Sequence, residues 1–558
     1  MAVPAASQLS EAKVAVNPGR FTAWIILLIF TAATYLSFKS LDHTYFWDDE
    51  AEVGIIARNL INTGHLTGWD GRNLFAYGNG ALLDSNLRPI NPPLQYVVAA
   101  ASFKLFGTTT WAGRFPFALI GLATLWVFAL VLQREFKGQA ILQLYAFAAL
   151  ALSVEFILYI RQCRYYALAI FFSLLAFYLY GRCLEKRGWK EFILLGVTAA
   201  LFFYSHYLLC LSFLMALAVA HFIFHRGGFD LRHQLRWLVA AGVFLLTTLP
   251  YALKYRIWVR PDMSKTIPGL QKLKSLWSGL SQLSEANWMP WIVFVGLMYL
   301  LTRERKNELL RRKVWPWMVL SLGYVFFVWA LAPGALGAPE RYLVVELPFL
   351  AGLVGAFLWL LHRRAPAAAL GLAITALATN LLSLTPAHRT FRWLVPAYLG
   401  EVHRPFPTCY SEAAEFLRKE CPADSNVVAY PEFCAYPLIF YCGDRFHFGC
   451  LLQQETTRLP LQTVSRLAAP LIIGDHFPDY IIAFGATPEL RLLLDYYSRS
   501  HKEENRAVSY QYPAIARIDC YCEDTSRPEL AWHTFGPKTG YDPESEAVFL
   551  FKRIGGPQ

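Results

Sequence analysis

The stretch Phe46-Trp47-Asp48-Asp49-Glu50-Ala51-Glu52 places four carboxylates within five residues, shortly after the apolar run Phe21–Phe38. Charges beside an apolar span must be repelled into water or be given work. The surrounding loop, Asp42 to Pro93, holds seven acidic residues (Asp42, Asp48, Asp49, Glu50, Glu52, Asp70, Asp84) against Arg58, Arg72 and Arg88, in a chain whose formal net charge is +11. The acidity is therefore local and marks this loop as the first candidate for chemistry.

Composition sets the class around it. With 56% hydrophobic and 16% charged residues and a mean hydropathy of +0.34, the 558-residue chain reads as a polytopic α-helical membrane protein. About eleven apolar windows, from Phe21–Phe38, Phe115–Leu132 and Ala140–Tyr159 through Trp315–Leu331 to Ala365–Leu384, approach or reach the length that crosses a hydrocarbon core as a helix. The first 20 residues read as a cytoplasmic tail, and Phe21–Phe38 as a retained signal anchor. Residues 21–385 then form a transmembrane domain with an extracytoplasmic loop at 39–113.

The loops at 134–137, 182–190, 226–236, 303–313 and 362–364 carry excess Lys or Arg. The positive-inside rule puts these five in the cytoplasm of a cell inner or plasma membrane. The acidic loop, Ser205-His206, Lys254–Trp288, the loop around Arg341 and everything beyond Thr385 then lie outside. The basic balance has this membrane explanation, and no basic face on a soluble fold argues for nucleic acid.

Within the acidic loop, Ala51–Ile61 and Pro92–Leu105 read as helices lying along the membrane surface, with Asp48 as a cap for the first. From residue 386 to 558, helices expected at 411–418, 436–441 and 488–497 alternate with strands at 426–430, 480–484, 514–520 and 547–552, which predicts a small extracytoplasmic α/β domain. Seven of the ten cysteines fall there (Cys409, Cys421, Cys434, Cys442, Cys450, Cys520, Cys522). An oxidising compartment permits disulfides, and Cys434, Cys442 and Cys450 near His447 offer a zinc alternative without a CxxC pair.

Glycosyl transfer from a phosphate-linked sugar needs a carboxylate to accept the acceptor's proton and cations to hold the departing phosphate. The loop supplies the first. Arg161 and Arg164, Lys254, Arg256 and Arg260, and Arg341 with Tyr342 lie on the same side and can supply the second; their bland alternative is headgroup contact at span ends. This chemistry requires no cofactor, although Asp48, Asp49 and Glu50 could hold Mg²⁺ or Mn²⁺ against a diphosphate.

The order Asp49-Glu50, Arg58 nine residues after Asp49, Asn62-Thr63-Gly64, Asn91-Pro92-Pro93-Leu94-Gln95-Tyr96 and Lys104-Leu105-Phe106-Gly107 resembles the first extracytoplasmic loop of the GT-C glycosyltransferases of the protein mannosyltransferase and aminoarabinose transferase type. The likeness continues through Arg161 to Leu168, His206-Tyr207 and Pro339-Glu340-Arg341-Tyr342. It implies a GT-C-like fold and an enzyme that transfers a sugar from a polyprenyl phosphate, with inversion, to a protein, lipid or glycan acceptor outside the membrane. The family's catalytic aspartate falls on Asp49, with Glu50 orienting the site, and Arg58, Asn91 and His206 join the substrate-binding candidates. Where aminoarabinose transferases carry Glu-Lys before the proline of the second motif, Ile90-Asn91 stand here, which removes one expected phosphate-binding lysine.

A transporter or lipid flippase is the competing class, but mid-span charges are few and no internal repeat is visible. A sensor with an outer ligand-binding domain leaves the acidic loop unexplained.

Overall fold

The computed structural model describes residues 18–76, 80, 82–186, 188–225, 231–257, 269–287, 290–303, 307–332, 339–382, 391–404, 406–449, 477–498, 501–503, 506–520, 527–530, 532–533, 535 and 547–557. Arg260, Cys450 and Cys522 lie outside this set.

The membrane part is a helix bundle: α1 (Pro18–Phe38), α4 (Thr110–Glu135), α5 (Ala140–Ala151), α6 (Val154–Ile160), α7 (Tyr166–Lys186), α8 (Trp189–Ser205), α9 (Tyr207–Phe224), α10 (Leu231–Tyr255), α11 (Gly269–Asn287), α12 (Pro290–Arg303), α13 (Trp315–Leu331), α14 (Leu347–His362) and α15 (Pro366–Ala378). Among the described residues, six helices are long and apolar enough to cross a membrane, or seven when α5 and α6 count as one span bent by 55°. That bend divides a window expected to be continuous. Leu152-Ser153 interrupts the helix, and the Ser153 hydroxyl accepts from Phe156 N to start α6.

Between α1 and α4 lie α2 (Asp48–Thr63) and α3 (Leu94–Phe106). Helix α2 starts three residues before the expected Ala51, so Asp48, Asp49 and Glu50 form its first turn, where the helix dipole favours anions. Asp48 is thus a helical residue, and Trp47 takes the cap position. Gly64, at φ 74°, ends the helix in the left-handed conformation that glycine adopts without strain. The expectation that α2 floats on the membrane surface is corrected, because ten consecutive residues, Asp48 to Ala57, are buried. Both α3 and α18 (Ala435–Cys442), which lies far along the chain, pack on it. The contact is so close that a Cβ on Gly54 would stand 2.8 Å from the Phe440 ring.

Beyond the bundle come α16 (Leu394–His403), α17 (Cys409–Glu420) and a mixed sheet made of β1 (Asn426–Tyr430), β2 (His447–Phe448), β3 (Tyr480–Phe484), β6 (Ala514–Asp519) and β7 (Ala547–Lys552). The order is β2-β1-β3-β7-β6, with β1 parallel to both neighbours and β7 antiparallel to β3 and β6. Helix α19 (Pro488–Ser498) follows β3, and β4 (His501–Glu503), β5 (Arg506–Gln511) and β8 (Ile554–Pro557) make a second, antiparallel sheet that periodicity did not reveal. The eight described cysteines, including Cys409, Cys421, Cys434, Cys442 and Cys520 of this region, are buried free thiols.

Buried guanidinium groups fasten the loop to this frame. Arg114, near the start of α4, chelates Glu50 through Nε to Oε1 at 2.9 Å and Nη2 to Oε2 at 2.6 Å. Its Nη1 also donates to the carbonyls of Leu41 and Thr44. The Cys163 amide donates to Glu50 Oε1 at 2.7 Å, and Glu50 is fully buried. Glu50 is therefore an anchor that faces Arg114, directly beside Asp49. Arg161, expected on a lipid phosphate, donates to the carbonyls of Leu36, Ser37, Lys39 and Ser40 at 2.8–3.0 Å and closes the C-terminal end of α1. Arg58 donates to the Phe440 carbonyl at 2.9 Å and does the same for α18. In both cases the last carbonyls of a helix lack intrahelical partners, and a cation satisfies them best.

Removing one member of a desolvated pair strands the other. Arg114→Ala should cost about 3–5 kcal/mol of unfolding free energy in detergent, whereas Arg114→Met combined with Glu50→Gln should recover most of it. A loss in Arg114→Ala below about 1 kcal/mol, the range of exposed pairs, would show that the Glu50 pair does not anchor the loop.

Candidate active site

Asp49 and Glu52 stand three apart on α2, so they share a helix face that Glu50 does not. Asp49 is 4% exposed. Its Oδ2 meets Arg341 Nη1 at 2.8 Å and its Oδ1 meets Arg164 Nη2 at 3.2 Å. Arg164, in the turn between α6 and α7, also donates from Nη1 to the Asp49 carbonyl at 2.7 Å and to Glu52 Oε2 at 2.8 Å. Arg341 arrives from the single turn Pro339–Tyr342. Three elements far apart in sequence thus converge on one carboxylate.

Glu52 was not singled out by the sequence reading, yet it holds the second half of this cluster. Its Oε1 accepts from the Asn91 amide at 2.7 Å and from the Tyr96 hydroxyl at 2.5 Å. Asn91 is thereby brought to the site through Glu52. His206 caps α9, its ring lies 4.4 Å from that of Tyr165, and the Tyr342 ring stands against it at 5.8 Å. Both residues therefore belong to the aromatic wall beside Arg164. Lys254 and Arg256 are exposed, and among the described residues no hydrogen bond or ion pair joins them to the cluster. The Lys254 ammonium lies over the Tyr255 ring.

The C-terminal region contributes a residue that periodicity could not show. Glu529, fully buried, accepts from Arg341 Nε through Oε1. The guanidinium groups of Arg341 and Arg527 both lie against the Trp47 indole, at 4.9 and 5.4 Å from its ring centroid. Beside them Glu340 is buried with both carboxylate oxygens lacking a hydrogen-bond partner among the described residues. Burial, reinforced by the nearby Glu529, pushes its carboxyl up to about 8.

A second buried cluster holds these parts together. Glu401 of α16 accepts from His43 Nε2 at 2.9 Å on one oxygen and from His533 Nε2 at 2.8 Å on the other. One carboxylate thus joins the start of the acidic loop to the segment that carries Glu529. Burial works against the Glu401 charge, but the two imidazoles hold its carboxyl down to about 2. For His533 burial opposes protonation and Glu401 outweighs it, raising the imidazole above its ordinary value, while burial keeps His43 lowered. Among the described residues no group of three or more His, Cys, Asp or Glu side chains is arranged to hold a metal ion.

Residues 90–253 match the model of the dolichyl-phosphate-mannose-protein mannosyltransferase family, a segment that includes Asn91, Arg164 and His206. No curated protein matches the sequence. Among solved structures, ArnT from Cupriavidus metallidurans bound to undecaprenyl phosphate is similar at a TM-score of 0.55 and 14% identity, over 95% of this chain and 98% of that one. The same protein in the apo state is similar at a TM-score of 0.56 and 13% identity, with the same coverage. At such identity the likeness is one of fold. The fold is therefore shared with ArnT, and the segment at residues 90–253 resembles the dolichyl-phosphate-mannose-protein mannosyltransferase family, in line with the likeness that the sequence motifs carry.

The Glu401 cluster predicts a pH window for stability. Glu401, lowered from 4.5, contributes above pH 4.5 and its contribution fades as pH falls toward about 2. His533, raised from 6.5, contributes fully below pH 6.5 and its contribution fades as pH rises through its shifted value. The melting-temperature gap between the native protein and Glu401→Gln should therefore be widest between pH 4.5 and 6.5 and narrow above it. A gap that widens steadily with rising pH would contradict the His533–Glu401 pairing.

Proposed function

We propose that this protein is a polyprenyl-phosphate-dependent glycosyltransferase with Asp49 as its general base. The observation that carries the proposal is the buried Asp49 carboxylate held between Arg164 and Arg341. In the reaction an acceptor hydroxyl gives its proton to Asp49 as its oxygen attacks the anomeric carbon. The bond from that carbon to the phosphate oxygen breaks, and the phosphate leaves with the electron pair. Arg341 and Arg164 stabilise the negative charge that grows on it, in a water-poor setting where such contacts act strongly. A single displacement of this kind inverts the anomeric configuration. The donor is a sugar on a polyprenyl monophosphate, and the acceptor is an extracytoplasmic protein, lipid or glycan.

The sidedness belongs to the same proposal: about eleven spans, residues 1–20 in the cytoplasm, and residues 386–558 outside. It is supported by the way the predicted cytoplasmic loops meet at one end of the bundle. Lys313 pairs with Glu135 at 2.9 Å, and Arg134, Glu185, His225, Arg312 and Lys313 line one cavity of about 200 Å³ there.

Asp49→Asn keeps the size but cannot take the proton. Turnover of a radiolabelled lipid-linked sugar should fall by about a hundredfold to ten-thousandfold, with donor binding near normal, while Asp48→Asn should cost far less. Full activity in Asp49→Asn would discard the assignment, and equal losses at both positions rescued by Mg²⁺ or Mn²⁺ would replace it with a metal site. Arg341→Ala should weaken donor use by on the order of 2–5 kcal/mol, the scale for truncating one partner of a desolvated charge contact. Unchanged donor kinetics would place the phosphate elsewhere.

A further inference from the structure

The charge balance around Arg341 carries a consequence for donor entry. Arg164 and Arg341 supply two positive charges, and the carboxylates they touch, Asp49, Glu52 and Glu529, supply three negative ones; with the Arg527 guanidinium against the same Trp47 indole the corner is already balanced. A lipid phosphate would add at least one more negative charge to a buried site, where like charges repel strongly. One carboxylate has to give way. Asp49 is bonded on both oxygens, and Glu52 is gripped by Asn91, Tyr96 and Arg164. Glu529 has one donor, Arg341, on Oε1, and among the described residues its Oε2 has no hydrogen-bond partner although it is fully buried. It also belongs to a separate segment, tied down through its own carbonyl, which accepts from the amides of Trp532 and His533. Burial, with Glu529 beside it, already pushes the Glu340 carboxyl alongside up.

We infer that Glu529 is a positioning residue that occupies the donor-phosphate place on Arg341 in the empty enzyme, and that the incoming polyprenyl phosphate displaces it. A carboxylate and a phosphate present the same oxygen pair to a guanidinium, so the exchange leaves Arg341 oriented throughout. The Glu401 cluster keeps the segment attached by His533 while Glu529 swings away, which makes the contact a reversible gate on donor access. This inference rests on the reading of Arg341 as a phosphate ligand.

The test uses the full-length protein in detergent and undecaprenyl phosphate, a sugar-free probe that requires no turnover. Glu529→Gln keeps the shape and removes the competing charge, so it should bind the probe at least about fivefold more tightly than the native protein, the effect expected when a like-charge contact is relieved. Equal or weaker binding by Glu529→Gln, with the native protein binding, overturns the inference and leaves the proposed function standing. No binding by either protein overturns the reading of the phosphate site itself.

Discussion

Three buried carboxylates at the start of α2, Asp49, Glu50 and Glu52, are each given a cation, and that requirement organises the molecule. Water is excluded there because α18 lies on α2 at Gly54 and the Tyr45 and Tyr441 rings stack at 3.7 Å. An ionised carboxylate in such surroundings is tolerated only with close, well-directed partners. Glu50 receives Arg114 from α4, Glu52 receives Arg164 from the α6–α7 turn, and Asp49 receives Arg164 together with Arg341. Each pairing draws a different part of the bundle to the same helix. The energetic demand of these three acids in one helical stretch thereby becomes the geometry of a site.

The same pairing separates structure from chemistry among neighbours. Glu50 is held by a bidentate guanidinium and a backbone amide, has no exposed surface, and serves as an anchor. Asp49 is held by two arginines from two segments, and each of those arginines also touches a second carboxylate, Glu52 for Arg164 and Glu529 for Arg341. The C-terminal region takes part directly, since Glu529 reaches Arg341 and His533 is clasped with His43 by Glu401. Such a site joins the helix bundle to the C-terminal region.

Much of this was legible in the sequence, and the limits have physical reasons. Strands 426–430, 480–484 and 547–552 fall where the apolar runs placed them, because short β-branched and aromatic runs between polar turns leave little alternative. Asp49, Arg164 and Arg341 were legible as a carboxylate and cations on one side. The helix expected from Ala51 starts at Asp48, so the i,i+3 relation puts Asp49 and Glu52 on one face, which the later start hides. Arg114, directly before the apolar window at Phe115, offered a signal as a charge at a span end, but nothing local distinguishes it from a headgroup contact. Arg58 and Arg161 look like phosphate ligands until the free carbonyls of two helix ends are in view. Glu529 left no signal, because its partner is 188 residues away and only tertiary structure brings them together.

The central claim is that Arg164 and Arg341 hold the donor phosphate beside Asp49, and a structure of the full-length protein with a bound polyprenyl phosphate tests it most directly. The account predicts phosphate oxygens within about 2.7–2.9 Å of guanidinium nitrogens of both arginines, the range of charge-assisted hydrogen bonds, with the Asp49 carboxylate next to the phosphate and open to an acceptor hydroxyl. A phosphate seated on Lys254 and Arg256, with Arg341 still closed on Glu529, would contradict it.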